Sequence, residues 1–200
     1  MSAPNFDLCR IGEHAGWHKL PGQTVYDGRY VQVEECRFLT PNRPDVPLSW
    51  TVVHRKAAVA VAAQTEDGRF VLIHQERLPV MRVLWEFPAG QLDDGETCAA
   101  IVATVWRELD EEAGCEPLPE TVLKPLGWFF GSQGFTDEHV YLFAAGPVRI
   151  VRAPQPVGGE HIGEVRLVTA EELRELVATF VIQDALTLAL FARLAALGMV

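Results

Sequence analysis

Two apolar runs around a short turn constrain this chain more than any other feature. In "AAVAVAAQTEDGRFVLIHQER" (57–77) strand-forming residues flank Glu66-Asp67-Gly68, the pattern of a β-hairpin. Further strand-forming segments lie near "VLKPLGWFF", "HVYLFAA" and "EVRLV", and one long helical pattern, about 97–113, stands among them. Thr169 and Glu172 have the spacing of a capping box opening "AEELRELVA", and a last helix is expected roughly from Asp184 to Leu197. Strands around one central helix, with helices added at the end, predict an α+β chain. The expected form is a sandwich of mixed sheet and helices, not a parallel βαβ fold. Upstream, "VYDGRYVQVEECRFL" turns at Asp27-Gly28 and "LSWTVVHR" reads as another strand, with the proline-rich "TPNRPDVP" expected as a loop between them. Residues 1–55 are thus expected to be a small β appendage and 56–200 the main domain. Gly and Pro mark "GPVRIVRAPQPVGGE" as a long loop.

With 48% hydrophobic and 22% charged residues, the 200-residue chain can bury a core. Its net charge of −10 repels nucleic-acid backbones and anionic membranes, so neither is an expected partner. An anionic substrate would need a cation or clustered arginines to enter. Cys9, Cys36, Cys98 and Cys115 are scattered without a CxxC pair, which argues against a zinc finger or a disulfide scaffold. The N-terminal residues lack the basic and apolar blocks of a signal peptide, and no run approaches eighteen apolar residues. The expectation is a soluble, cytoplasmic protein.

"WRELDEEAG" (106–114) crowds four carboxylates into the helix. At about 100° per residue, Glu108, Glu111 and Glu112 fall within roughly a 100° arc, and Asp110 lands on the far side. Val102, Trp106, Leu109 and Ala113 form a separate stripe expected to face a core. Like charges at i, i+4 oppose each other by a few tenths of a kcal/mol. Glu108 and Glu112 therefore either lie in water or face a cation. Gly114 stands where a C-terminal cap belongs, Arg107 can reach a carboxylate, and "EFPAG" (86–90) offers backbone carbonyls. Hard cations such as Mg²⁺ take such oxygen ligands. Spacing alone leaves the solvated face and the metal site both open.

"GQLDDGE" (90–96) followed by "RELDEEAGC" (107–115) resembles the Nudix box: glycine, five residues, glutamate, then R-E-hydrophobic-x-E-E-x-G-hydrophobic. Arg107, Glu108, Leu109, Glu111, Glu112, Gly114 and Cys115 match position by position. Ten residues separate Glu96 from Arg107 where the family has seven. The resemblance extends over roughly residues 22–197 to the ADP-ribose and nucleotide-sugar pyrophosphatase branch of the Nudix hydrolases. It implies a Nudix-type α/β/α sandwich whose N-terminal strands build a homodimer. It further implies Mg²⁺, with Mn²⁺ as a substitute, held by Glu108, Glu112, Glu111 and the carbonyl of Ala89. Arg77 corresponds to an arginine that grips phosphate, Glu86 to a glutamate near the substrate, and Glu138 to a catalytic carboxylate. Glu138 is the preferred general base and Glu111 the alternative, with Arg107 orienting the carboxylates. In the family Glu96 helps to hold that arginine. The nucleobase is expected to stack on an aromatic, for which Trp50 is the candidate and Trp17 a second. His74 and His139 are expected to pack rather than react. The implied reaction converts ADP-ribose to AMP and ribose 5-phosphate. Gln133 stands where many ADP-ribose hydrolases have proline, which keeps GDP-mannose or another nucleotide sugar as the alternative substrate. A non-catalytic sensor that binds a nucleotide sugar is the remaining alternative.

Overall fold

The computed structural model describes residues 4–12, 14–93, 95–157, 159 and 161–200. Strands β1 (His18–Asp27), β2 (Gln32–Thr40) and β3 (Arg43–His54) form an antiparallel three-stranded sheet of their own, in that order. The second sheet is built from β4 (Ala58–Thr65), β5 (Phe70–Arg77), β6 (Arg82–Glu86), β7 (Ala89–Gln91), β8 (Cys115–Phe130), β9 (His139–Ile150) and β10 (Ile162–Val168). Its order is β10-β5-β4-β9-β8, with β6 on β5 and β7 on β4. Only the β4–β9 ladder among these pairs is parallel, so the sheet is mixed.

The hairpin residues are apolar because both of their faces are covered. Along β4 and β5, Val59, Val61, Ala63, Val71 and Ile73 meet α1 (Cys98–Ala113) through Ile101, Val105 and Leu109. The alternate residues Ala58, Ala60, Ala62, Phe70 and Leu72 meet α2 (Ala170–Ala178) and α3 (Ala185–Ala196) through Leu173, Leu190 and Leu194. Side chains alternate across a strand, so each strand feeds two cores and forms the middle layer of an α/β/α sandwich. Ala58 pairs with Gln91 of β7 on one side and Val140 of β9 on the other. That register brings the Ala89–Gln91 segment and the loop before His139 to one end of the sheet.

Three local expectations change. The proline-rich segment is not a loop: β3 begins at Arg43 and carries Pro44 and Pro47. It is an edge strand whose pairing shifts between Phe38 and Thr40, and an edge with a bulge tolerates residues that cannot donate to a ladder. The loop expected from Gly146 starts later, because β9 runs on to Ile150; its Gly158 and Glu160 lie outside the described residues. On α1 the buried stripe is Ile101, Val105, Leu109 and Ala113, while Val102 and Trp106 are half-buried. The helix is rolled by about one residue because a second surface, β7, also buries Thr104, Glu108 and Glu112.

Candidate active site

Helix α1 is capped at both ends as its sequence dictates. Thr97 accepts a hydrogen bond from the Ala100 amide at 3.2 Å, and Gly114 adopts φ +60°, its amide donating to Asp110 O. Between these caps the carboxylates separate by environment. Asp110 is exposed and pairs with Arg152, whereas Glu108 and Glu112 are 5% and 1% exposed. The solvated-face reading therefore fits Asp110 alone. Glu112 Oε2 accepts the Ala89 amide at 2.8 Å. Glu108 packs so closely on β7 that a Cβ at Gly90 would lie 1.7 Å from its Oε1. The box glycine is required here by lack of volume, not by backbone conformation.

Arg107 binds this group together. It reaches Glu108 Oε1 at 2.7 Å, Glu111 Oε2 at 2.8 Å, Asp93 Oδ2 at 3.2 Å and the Gln91 carbonyl at 3.2 Å. Burial opposes the charge on Arg107, but Glu108, Glu111 and Asp93 more than compensate and raise its pKa. Glu96 takes no part in these contacts. The helix starts at Cys98, so Arg107 lies nine positions, roughly 13 Å of axis, beyond its first residue. The three extra residues lengthen the start of the helix and carry Glu96 away. Glu96 instead accepts bonds from the Tyr141 hydroxyl and from His139 Nε2, the latter at 2.7 Å. Tyr141 Oη in turn accepts the Cys9 amide at 2.8 Å, which holds the N-terminal segment to the core. Asp93 and Gln91 supply the hold on Arg107 that the box glutamate has given up.

Arg77 and Glu86 sit on adjacent strands and form a bidentate pair, Nε lying 2.9 and 3.1 Å from the two carboxylate oxygens. Glu86 is wholly buried; burial pushes its carboxyl up, and Arg77 partly restores it. Burial would lower Arg77, but Glu86, Glu112 and Asp184 hold its pKa raised. The pair uses Nε and Nη2 of the guanidinium. At the start of α3, Thr187 Oγ1 accepts the Phe87 amide at 2.9 Å and donates to Asp184 at 2.8 Å, which ties the segment after Glu86 to that helix.

Glu138 lies just before β9. Burial raises its carboxyl, and the Arg55 guanidinium at 3.2 Å draws it back down. Trp50 on β3 is 56% exposed and donates its indole N–H to Gly134 O at 2.8 Å. It lines a cavity of about 810 Å³ whose aromatic walls include Trp17, Phe38, Trp128, Phe130 and Phe135. Gln133, Thr136 and Asp137, from the loop that leads to Glu138, also line it. His139 is buried against Trp128, Phe130 and Tyr141, and His74 stacks on Trp85 at 4.5 Å.

The oxygen donors of Glu108, Glu111, Glu112 and the Ala89 carbonyl suit a hard divalent cation. Among the described residues, ligand atoms of Glu34, Cys36 and His54 lie within 4.8 Å of one another. There the Lys19 ammonium already stands 2.5 Å from Glu34 and supplies the positive charge. The contributions of Arg55, Asp93, His54 and Asp137 have no signature in the sequence, because each acts across a contact that only the fold creates.

The NUDIX domain profile matches residues 53–191. An ADP-ribose pyrophosphatase of Bacillus subtilis (strain 168) is 34% identical over 136 residues, 68% of this chain and 70% of that protein. An ADP-ribose pyrophosphatase of Mycobacterium tuberculosis is 36% identical over 145 residues, 72% of this chain and 66% of that protein. A methanol dehydrogenase activator of Bacillus methanolicus is 32% identical over 126 residues, 62% of either chain. A solved structure described as an ADP compounds hydrolase shares the fold with TM-score 0.68 at 19% identity, covering 92% of this chain and 97% of its own. Taken with the buried carboxylates beside Gly90 and the guanidinium that gathers them, these matches show that the chain belongs to the Nudix family and is a hydrolase of phosphorus anhydrides.

Proposed function

We propose that the protein hydrolyses ADP-ribose to AMP and ribose 5-phosphate with Mg²⁺, Mn²⁺ being able to replace it. The observation that carries this reading is the aromatic-walled cavity containing Trp50, which adjoins the loop that bears Glu138. Such a cavity suits a nucleobase, and the arginines and acidic helix suit the diphosphate attached to it. The two ADP-ribose pyrophosphatases at 34% and 36% identity support the same substrate. When bound to Glu108, Glu111, Glu112 and the Ala89 carbonyl, the cation neutralises the diphosphate and lowers the pKa of water. Arg107 keeps Glu108 and Glu111 oriented. Glu138 accepts the proton of the attacking water at a carboxylate oxygen. Arg77, clamped by Glu86, offers its outer edge to the departing phosphate oxygens, so Glu86 acts through Arg77. The exposed Trp17, Tyr26, Tyr30 and Val46 of the N-terminal region support its role as a homodimer contact. All four cysteines are free, which fits a reducing, cytoplasmic location. No described helix is long and apolar enough to cross a membrane.

A base must be deprotonated to work, and burial raises Glu138 above its ordinary value of 4.5. The acid limb of the pH profile of kcat should therefore fall above pH 4.5. Glu138→Gln is expected to lower kcat by about 10²–10⁴-fold and to remove that limb. An unchanged kcat would reassign the base to Glu111. Trp50→Ala should raise KM for ADP-ribose about tenfold, since stacking on a base is worth about 1–3 kcal/mol. Gln133 lines the same cavity and favours a second reading, because its amide can read a base edge that proline cannot. Relative kcat/KM on ADP-ribose, GDP-mannose and UDP-glucose separates the two.

A further inference from the structure

We propose that His54 is a positioning residue for Glu138, tying the loop that carries it to the N-terminal sheet. The inference rests on the reading of Glu138 as the base. It starts from how completely β3 grips residues 134–138. The Gly134 carbonyl accepts the Trp50 indole, and the Phe135 carbonyl accepts the Val53 amide at 2.7 Å. Asp137 is held by both oxygens: Oδ1 accepts the Arg55 amide at 3.2 Å, and Oδ2 faces His54 Nδ1 at 2.5 Å. The Glu138 amide donates to Thr136 Oγ1 at 3.1 Å, and its carboxylate pairs with Arg55. Fixing Asp137 at both oxygens leaves the next side chain little freedom to turn.

His54 anchors this grip from the other side. Its Nε2 faces Glu34 Oε2 at 2.9 Å, and the same oxygen meets the Lys19 ammonium at 2.5 Å. Lys19, Glu34 and His54 come from β1, β2 and β3, so a polar chain crosses the whole sheet and ends on Asp137. Lys19 and then His54 hold the Glu34 carboxyl down at about 2, so this end of the chain stays charged. An imidazole is rigid and has a nitrogen at each end. His54 is itself part of β3, so its Nδ1 end ties the loop to the sheet, and its Nε2 end steadies the ring against Glu34.

The two ring nitrogens can be tested separately. In His54→Asn the amide nitrogen occupies the place of Nδ1 and retains the contact with Asp137. In His54→Gln it occupies the place of Nε2 and retains only the contact with Glu34. With ADP-ribose and saturating Mg²⁺, His54→Ala and His54→Gln should lower kcat tenfold or more, with KM within threefold of wild type. His54→Asn should stay within threefold on both constants. Amide hydrogen exchange of residues 134–138 should quicken at least tenfold in His54→Ala and His54→Gln, with the β4 amides unchanged. Adding His54→Ala to Glu138→Gln should reduce kcat less than twofold further.

Full activity in His54→Gln, or a tenfold loss that persists in the Glu138→Gln background, would overturn the proposal. So would unchanged loop exchange in His54→Ala, whatever Glu138 does. Wild-type kcat in Glu138→Gln would overturn the assignment of the base, while the exchange measurement still reports whether His54 holds the loop. A variant that fails to fold is recognised by faster exchange in β4, and His54→Asn then carries the test.

Discussion

Glu112→Gln should remove Mg²⁺-dependent turnover while leaving the fold intact. The side chain is 1% exposed, and its Oε2 accepts the Ala89 amide at 2.8 Å. A glutamine carbonyl can accept the same bond in nearly the same volume, so β7 keeps its place on α1. What disappears is one negative charge from the group that would hold the cation. Outer partners of metal ligands are commonly worth 10–100-fold, so losing a ligand should lower kcat/KM by about a hundredfold or more. Stability in metal-free buffer should hold or rise, because a buried carboxylate is costly unless a cation offsets it. Mg²⁺ should raise the Tm of the wild type and leave that of the variant unmoved, as expected for a ligand that binds only the intact site. Near-wild-type turnover would sink the assignment of Glu112 as a ligand.

Gly90→Ala should be as damaging from the opposite side of the same contact. The added Cβ would lie 1.7 Å from Glu108 Oε1 and 2.2 Å from its Cδ. A surface glutamate would swing away, but Glu108 is buried and Arg107 holds it at 2.7 Å. Either Glu108 leaves Arg107, or β7 moves and weakens both its pairing with Val59 and the Ala89–Glu112 bond. Forcing atoms into a packed region costs about 1–3 kcal/mol, which for a chain of this length corresponds to a Tm lower by roughly 2–10 °C. Activity should fall about a hundredfold, since a 1 Å displacement at a reacting site has that effect. Glu108→Asp in the same chain opens space for the methyl group. The double variant should recover Tm and remain inactive, which separates lost stability from a lost ligand. Full activity in Gly90→Ala alone would show that the close approach is not needed.

These two residues also mark how far sequence reading reaches. Local chemistry was legible. Gly114 ends α1, Thr169 and Glu172 cap α2, and Glu66-Asp67-Gly68 turns the central hairpin, because caps and turns depend on residues a few positions apart. The carboxylate face of α1 follows from helical periodicity alone, with Asp110 apart from it and paired with Arg152. Of the expected core stripe, only Leu109 and Ala113 are buried. Hydrophobicity favoured Val102 and Trp106, whereas the helix rolls to bury Glu108 and Glu112 against β7.

The hairpin, the acidic helix with its closing glycine, and the arginine before the carboxylates all follow from residues close together in the chain. The tertiary structure alone decided which groups complete them. The inserted residues moved Glu96 to His139 and Tyr141 and left Arg107 to Asp93 and the Gln91 carbonyl. Arg55 meets Glu138 across 83 positions, and His54 meets Asp137 across the same separation. The physical reason is range. Helical and turn preferences act within one or two turns of chain, whereas charge pairs and close packing act between any surfaces that the fold brings within a few ångströms.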